Sequence, residues 1–183
     1  MVAKTLPTPF PLRLLGALAI DSVVYEEVEA DEHATGQALL VVVLSSLAAG
    51  VGGFGWGTAS FQGILFISAV ALVSWVAWAV ITFQIGTRLM PEVDTRADVG
   101  QLLRTLGFSA APGILRIFGV VPGATLPAVV ITSIWMLVAM VVAVRQALDY
   151  RSTGRAVAVC AVGWALSVGL ALAAGIFFGP KVY

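Results

Sequence analysis

The stretch RTLGFSAAPGILRIFGVV, residues 104–121, decides the fold. It is apolar enough to enter a bilayer, yet it is short, interrupted by Pro112, and carries Arg116. Read as a membrane span it gives the chain five crossings; read as a loop it leaves four. The basic residues discriminate, because Lys- and Arg-bearing loops resist translocation and gather on the cytoplasmic side. With residues 104–121 as a span, Lys4, Arg13, Arg88, Arg96, Arg104, Arg145, Arg151 and Arg155 share one side, and only Lys181 falls on the other. The connectors 56–60 and 122–124 on that other side carry no charge. Without this span, Arg145, Arg151 and Arg155 would face away from Arg88, Arg96 and Arg104, and the bias would vanish. The five-span reading wins.

Working outward, a spanning helix needs about 20 apolar residues to cross a core about 30 Å thick. Residues 37–55, 61–86, 104–121, 125–144 and 156–178 are the expected spans. The fold class is therefore all-α: a polytopic membrane protein with five transmembrane helices. Residues 1–36 form an N-terminal interfacial and acidic cytoplasmic segment, and residues 37–183 form the transmembrane domain. Composition agrees, with 60% hydrophobic and 11% charged residues, against about 45–50% and about 25% in soluble domains. The formal net charge of +0 leaves no basic stripe to neutralise phosphates, which argues against nucleic acid. The single cysteine, Cys160, excludes an intramolecular disulfide and a cysteine metal cluster.

Lys4 and the apolar run 12–20 loosely imitate a secretory signal, but Pro7, Pro9, Pro11 and Arg13 interrupt it. A short interfacial helix is expected instead, with Leu14, Leu15 and Leu18 on one face. Six of the ten acidic residues follow: Asp21, Glu26, Glu27, Glu29, Asp31 and Glu32, beside His33. On a helix Glu26, Glu29 and His33 share a face. The Glu-x-x-His spacing of di-metal bundles fails, because Ala30 stands three residues before His33. A solvated cytoplasmic helix with a partner-docking surface is the reading kept, and no metal or cofactor is assigned.

Gly50, Gly52, Gly53 and Gly55 sit within a G-x-G-x-x-G pattern. They follow a spanning helix rather than a strand, so a turn or close helix approach through Gly53 and Gly57 is expected, not a dinucleotide site. Thr95 and Asp98 have capping-box spacing, so the third helix is expected to begin before the bilayer. Val99, Leu102, Leu103 and Leu106 would form its lead-in face. Arg145 falls in the last turn of the fourth span, where the helix dipole favours a cation. Within the third span, Pro112 removes a donor and frees a carbonyl near Phe108, which Ser109 is placed to help satisfy. Arg116 is the exceptional residue, since an arginine inside a span is costly and marks a functional or structural site. Snorkelling to the outer headgroups, a structural pair, and an anionic lipid, substrate or partner are all open to it.

At Gly107, Phe108, Ser109 and Pro112 the chain resembles the Yip family, the Ypt/Rab-interacting membrane proteins. Their third span carries a Gly-aromatic-Ser-x-x-Pro signature. Two further stretches resemble the prokaryotic branch: the entry to the first span, from His33 to Leu39, and the connector from Val144 to Tyr150. The resemblance runs roughly from Val28 to Gly179. It implies five helices, an inward acidic N-terminal segment, and no catalysis. It also implies an adaptor role, although the long cytosolic extension of eukaryotic members has no counterpart here, which puts GTPase recruitment in doubt.

The expected function is that of a non-catalytic integral membrane protein of Yip type. It would act by binding, as a membrane-organising factor or an accessory subunit of a larger membrane complex. Glu26, Glu27, Glu29, Arg145 and Asp149 are the expected cytoplasmic partner contacts. The partners are the lipid bilayer and a membrane protein or a second copy of the chain. The expected location is the cell inner membrane, with the N-terminus cytoplasmic and the C-terminus outside. The alternative is a small transporter or channel using Arg116 with Ser45, Ser46, Ser74, Thr132 and Ser133. No nucleophile–base constellation joins His33 and Cys160, so an enzyme is not expected.

Overall fold

The computed structural model describes residues 8–53, 60–91 and 98–178, the last twelve by their backbone. Every regular element among them is helical. In chain order these are α1 (Phe10–Leu18), α2 (Ser22–Ala30), α3 (Ala34–Gly52) and α4 (Phe61–Gln84), which passes into a π-helical turn (Ile85–Leu89). Then come α5 (Val99–Ser109), a 3-10 helix (Ala111–Val120), α6 (Thr125–Ala147) and α7 (Thr153–Phe178).

Three helices are long and apolar enough to cross a membrane: Ala34–Gly52, Phe61–Leu89 and Thr125–Ala147. They coincide with the first, second and fourth expected spans, with ends displaced by about a turn or less. The other two expected spans are not among them, so three candidate spans, not five, stand among the described residues. The fifth expected span falls within the longer α7, whose side chains are described only as far as Leu166. The third is not one helix.

The break in the third expected span has a local cause. An α-helix would need the amide of residue 112 to reach the Phe108 carbonyl, and proline has no such donor. The chain tightens instead: the Ala110 amide reaches back to the carbonyls of Gly107 and Phe108, and Gly113 donates to Ala110 at 2.9 Å. Pro112 thereby occupies the first turn of the 3-10 helix, where a missing donor costs nothing. Ser109 does not serve the carbonyl expected; its Oγ donates to Leu106 at 2.8 Å. A 3-10 run of ten residues is long, since runs beyond about 3–4 residues are uncommon. Helix α3 holds it in place. A Cβ on Gly52 would stand 2.1 Å from the Arg116 carbonyl oxygen, so only glycine permits this approach.

Helix α5 opens with a capping box formed by Asp98 and Gln101. Asp98 is thus the cap rather than the third residue of a box begun at Thr95, which lies outside the described residues. Leu102 and Leu106 are buried as its lead-in face predicts, while Val99 is exposed. Gly50 and Gly52 lie within α3 and Gly53 caps it; Gly55 and Gly57 are outside the described residues.

The N-terminal segment is a helical hairpin. Pro9 and Pro11 set the entry to α1, and Ile20 makes the turn at φ 60° before Asp21 caps α2. Leu12 and Leu15 face outward, whereas Leu14 and Leu18 pack against the core, so the three expected leucines divide between two faces. Arg13 is buried and bridges Glu27 and Asp31, each at 2.7 Å. Two helix C-termini are capped by side chains from elsewhere, which satisfies carbonyls that have no intrahelical partner. Arg104 donates to the carbonyls of Val28 and Glu29 at the end of α2. Trp135 Nε1 of α6 donates to Leu18 at the end of α1, at 2.9 Å.

Candidate functional site

Helix α2 and the α6–α7 connector meet at one end of the bundle, around a cleft of about 350 Å³. Glu26, Glu29, Arg145, Gln146, Asp149 and Tyr150 line it. Four of the five expected partner contacts are therefore brought together. The connector is fixed by its own hydrogen bonds. After α6 ends, Asp149 takes a left-handed conformation, φ 52°, which Asp tolerates better than most residues. The Tyr150 amide then bonds back to the Arg145 carbonyl at 2.9 Å. The Tyr150 hydroxyl shares its one proton between the carbonyls of Gly86 (2.9 Å) and Met90 (2.8 Å), groups left over where α4 terminates in its π-turn. Gln146 Nε2 donates to Glu26 at 2.9 Å, closing α2 onto α6.

The cleft is rich in carboxylates. Partial burial, then the charges of Asp149 and Glu26, push the Glu29 carboxyl up to about 7, with Arg104 opposing them. A group there titrates near neutrality and exchanges a proton readily. Among the described residues no cluster of His, Cys, Asp and Glu is arranged to hold a metal ion.

Glu27 is not part of this cleft. It lies on the other side of α2, where Thr8 N (2.9 Å) and Arg13 donate to one carboxylate oxygen. Burial alone would raise its affinity for a proton, but these hydrogen bonds outweigh burial and hold it below the usual range. Helix α2 ends at Ala30, so the expected face of Glu26, Glu29 and His33 does not form; His33 is exposed before α3. Cys160 is buried in α7, in a groove with Val141 and Val157.

The signature residues are packing elements. Gly107 lies against Ala38 of α3, where a Cβ would come within 2.7 Å. Phe108 is buried and meets Phe10 of α1 edge to face at 6.4 Å. Pro112 is buried at the break. Arg116 behaves differently. Its Nε donates to Thr132 at 3.2 Å and a terminal nitrogen donates to Ser133 at 3.0 Å. These hydroxyls lie seven and eight residues into α6, about 10–12 Å from its start at 1.5 Å per residue. The guanidinium is thus turned along α6 toward a second cleft, shared with Trp75 and Trp164. The roles of Trp75 and Trp135 are not read in the sequence, where their signal is an aromatic ring with a polar tip inside an apolar block, which usually takes a partner when buried. Tyr150 is read there only as part of the connector.

A protein-family comparison matches the Yip1 domain over residues 15–175. No curated protein and no solved structure matches the chain. The match takes in the end of α1 and all of α2, the broken helix with its Gly107–Pro112 signature, and the connector that builds the acidic cleft. The chain belongs to the Yip1-domain family, a family of non-enzymatic membrane proteins.

Proposed function

We propose that this chain is a binding protein of the cell inner membrane that docks a basic cytoplasmic segment of a partner membrane protein in the acidic cleft. It would serve as an accessory subunit or membrane-organising factor. One observation carries the reading: Glu26 and Glu29 from α2 and Asp149 from the connector converge on one cleft against a single Arg145. Carboxylates so gathered favour a Lys- or Arg-bearing partner, and such charge complementarity sets specificity and encounter rate more than raw affinity.

Five crossings complete the proposal, with the N-terminus and the acidic cleft cytoplasmic. The charge bias supports this, and so does length. The six α-helical residues 104–109 contribute about 9 Å. The 3-10 residues Ala111–Val120, ten in all, contribute about 20 Å at about 2.0 Å each. Together they approach the about 30 Å of a bilayer core.

The test is chemical cross-linking in native membranes with mass spectrometry, comparing the full chain with a Glu26→Gln, Glu29→Gln double variant. Partner recovery should fall at least tenfold while membrane insertion is unchanged; undiminished recovery would overturn the reading. Glu27 is left intact, because its loss would strand Arg13. Transport is the second reading, favoured by Arg116 bonded to Thr132 and Ser133 within the helices. Liposome flux abolished by Arg116→Leu would support it.

A further inference from the structure

The second cleft, of about 280 Å³, lies between α4, the 3-10 helix, α6 and α7. Its walls are mainly Trp, Met and Leu side chains, and its polar groups are Arg116, Ser133 and Ser74. Arg116 uses two of the five N–H donors of a guanidinium. Among the described residues no carboxylate lies within ion-pair reach of it. A cation held among apolar helices is costly unless a counter-charge accompanies it. Hydroxyl oxygens supply dipoles, not charge.

A second observation points the same way. Trp75 lines this cleft and is 9% exposed, yet its indole Nε1 is buried without a hydrogen-bond acceptor. An indole N–H is a donor only. The cleft thus holds a cation without a counter-charge beside a residue whose indole N–H lacks an acceptor; the first calls for negative charge and the second for an acceptor atom.

The apolar side extends further. Leu137 and Trp164 also line an adjoining groove of about 330 Å³ that runs past Val141, Val157 and Cys160 and has wholly apolar walls. One end of the continuous depression is cationic and the other resembles hydrocarbon.

We propose that this depression binds an amphiphile with an anionic head group, the head on Arg116 and Ser133 and the acyl chain along Leu137 and Trp164. A hydrated inorganic anion does not suit walls that offer so few polar groups. A neutral lipid would leave the guanidinium uncompensated. The head chemistry, a carboxylate or phosphate on an acyl chain, is common to a free fatty acid and an anionic phospholipid. This site is separate from the acidic cleft and does not depend on the function proposed for it.

The test uses the full chain in phosphatidylcholine nanodiscs, with tryptophan quenching by brominated oleate or brominated phosphatidylglycerol. Trp75 places a reporter in the cleft of Arg116, and Trp164 places one where that cleft joins the apolar groove. Saturable quenching is expected with one probe or both, weakened at least tenfold in Arg116→Gln and partly restored in Arg116→Lys. Arg88→Gln, at an exposed arginine that lines neither cleft, should bind as the unaltered chain does. Leu137→Phe keeps the arginine, narrows the groove at an exposed position and adds no tryptophan, so it should weaken binding even if Arg116→Gln does not fold. Quenching by oleate alone identifies a free carboxylate amphiphile, and quenching by phosphatidylglycerol alone identifies a phospholipid. Absence of saturable quenching by either probe would overturn the proposal. Equal quenching in the unaltered chain and in a folded Arg116→Gln or Leu137→Phe variant would overturn it too.

Discussion

Substituting alanine for two glycines of α3 separates helix propensity from packing within a single element. Gly36 and Gly52 both lie in this helix. A Cβ at Gly36 meets nothing within 4 Å, whereas one at Gly52 stands 2.1 Å from the Arg116 carbonyl oxygen. Ordinary contact begins near 3.4 Å, so the two backbones must part by about 1.3 Å. The obstructing atom is main chain and cannot rotate aside. Overpacking of this kind costs about 1–3 kcal/mol. The opposing gain in helix propensity, about 0.8–1.0 kcal/mol, applies to both substitutions and cancels between them. Gly52→Ala should therefore be less stable than Gly36→Ala by about 1–3 kcal/mol. At about 2–4 °C per kcal/mol for a chain of this size, that is a gap of about 2–12 °C in Tm. Thermal unfolding followed by tryptophan fluorescence, with both variants in the same detergent, measures it. Equal midpoints would refute the reasoning, because they would show that α3 and the 3-10 helix are not in backbone contact at Gly52.

Three further outcomes are expected. Glu29 binds its proton more tightly when folded than the usual carboxylate, about 7 against 4.5. Its contribution to stability is thus full below 4.5 and is lost as pH rises through 7. Melting profiles should show this slope in the unaltered chain, a shallower one in Asp149→Asn, and none of it in Glu29→Gln; identical profiles would remove the shift. Arg13→Met leaves the half-buried Glu27 and Asp31 without their shared cation, and losing hydrogen bonds to charged groups costs about 1.5–3 kcal/mol. Chemical unfolding in mixed micelles should register that loss, and a change below about 1 kcal/mol would place the pair among weak surface bridges. Trp135→Phe strands the Leu18 carbonyl, at about 1–3 kcal/mol for an unsatisfied buried acceptor. The cost should appear locally, as faster proteolysis of the α1–α2 hairpin with α4 and α6 still protected; an unchanged cleavage rate would argue against the cap.

What the sequence made legible was whatever depends on local pattern. Continuous apolar blocks place α3, α4 and α6 to within about a turn, because a helix of that length and hydropathy has few alternatives. Pro112 and its small neighbours marked the third block as irregular. The change of helical type was not legible, since it depends on α3 pressing backbone to backbone at Gly52. The acidic segment divides in the same way. Glu27 and Asp31 are spaced i, i+4, and Glu26 and Glu29 i, i+3, so two faces of α2 were implied. Their partners were not, because Arg13 lies in another helix and Asp149 more than a hundred residues away. The acceptors of Arg116 were legible only within a wider set. Thr132 and Ser133 stood beside Ser45, Ser46 and Ser74 as polar residues of the spans, and only the approach of α6 to the 3-10 helix singles them out as its partners.

The tightened helix also changes what a spacing of three means. In a 3-10 helix, residues i and i+3 eclipse one another, so Gly113, Arg116 and Gly119 fall on one line. In an α-helix the same three would fan over about a third of a circle. Gly113 on that line faces Ser45 and Met136, and Gly119 faces Gly52. The arginine is thus flanked above and below by residues with no side chain, on the edge that enters the helix interface. Glycine–x–x–arginine–x–x–glycine is then a triplet phase, set between helices α3 and α6 that keep the α-helical period. A single-residue insertion between Gly113 and Arg116 would turn the arginine about 120° away from that edge.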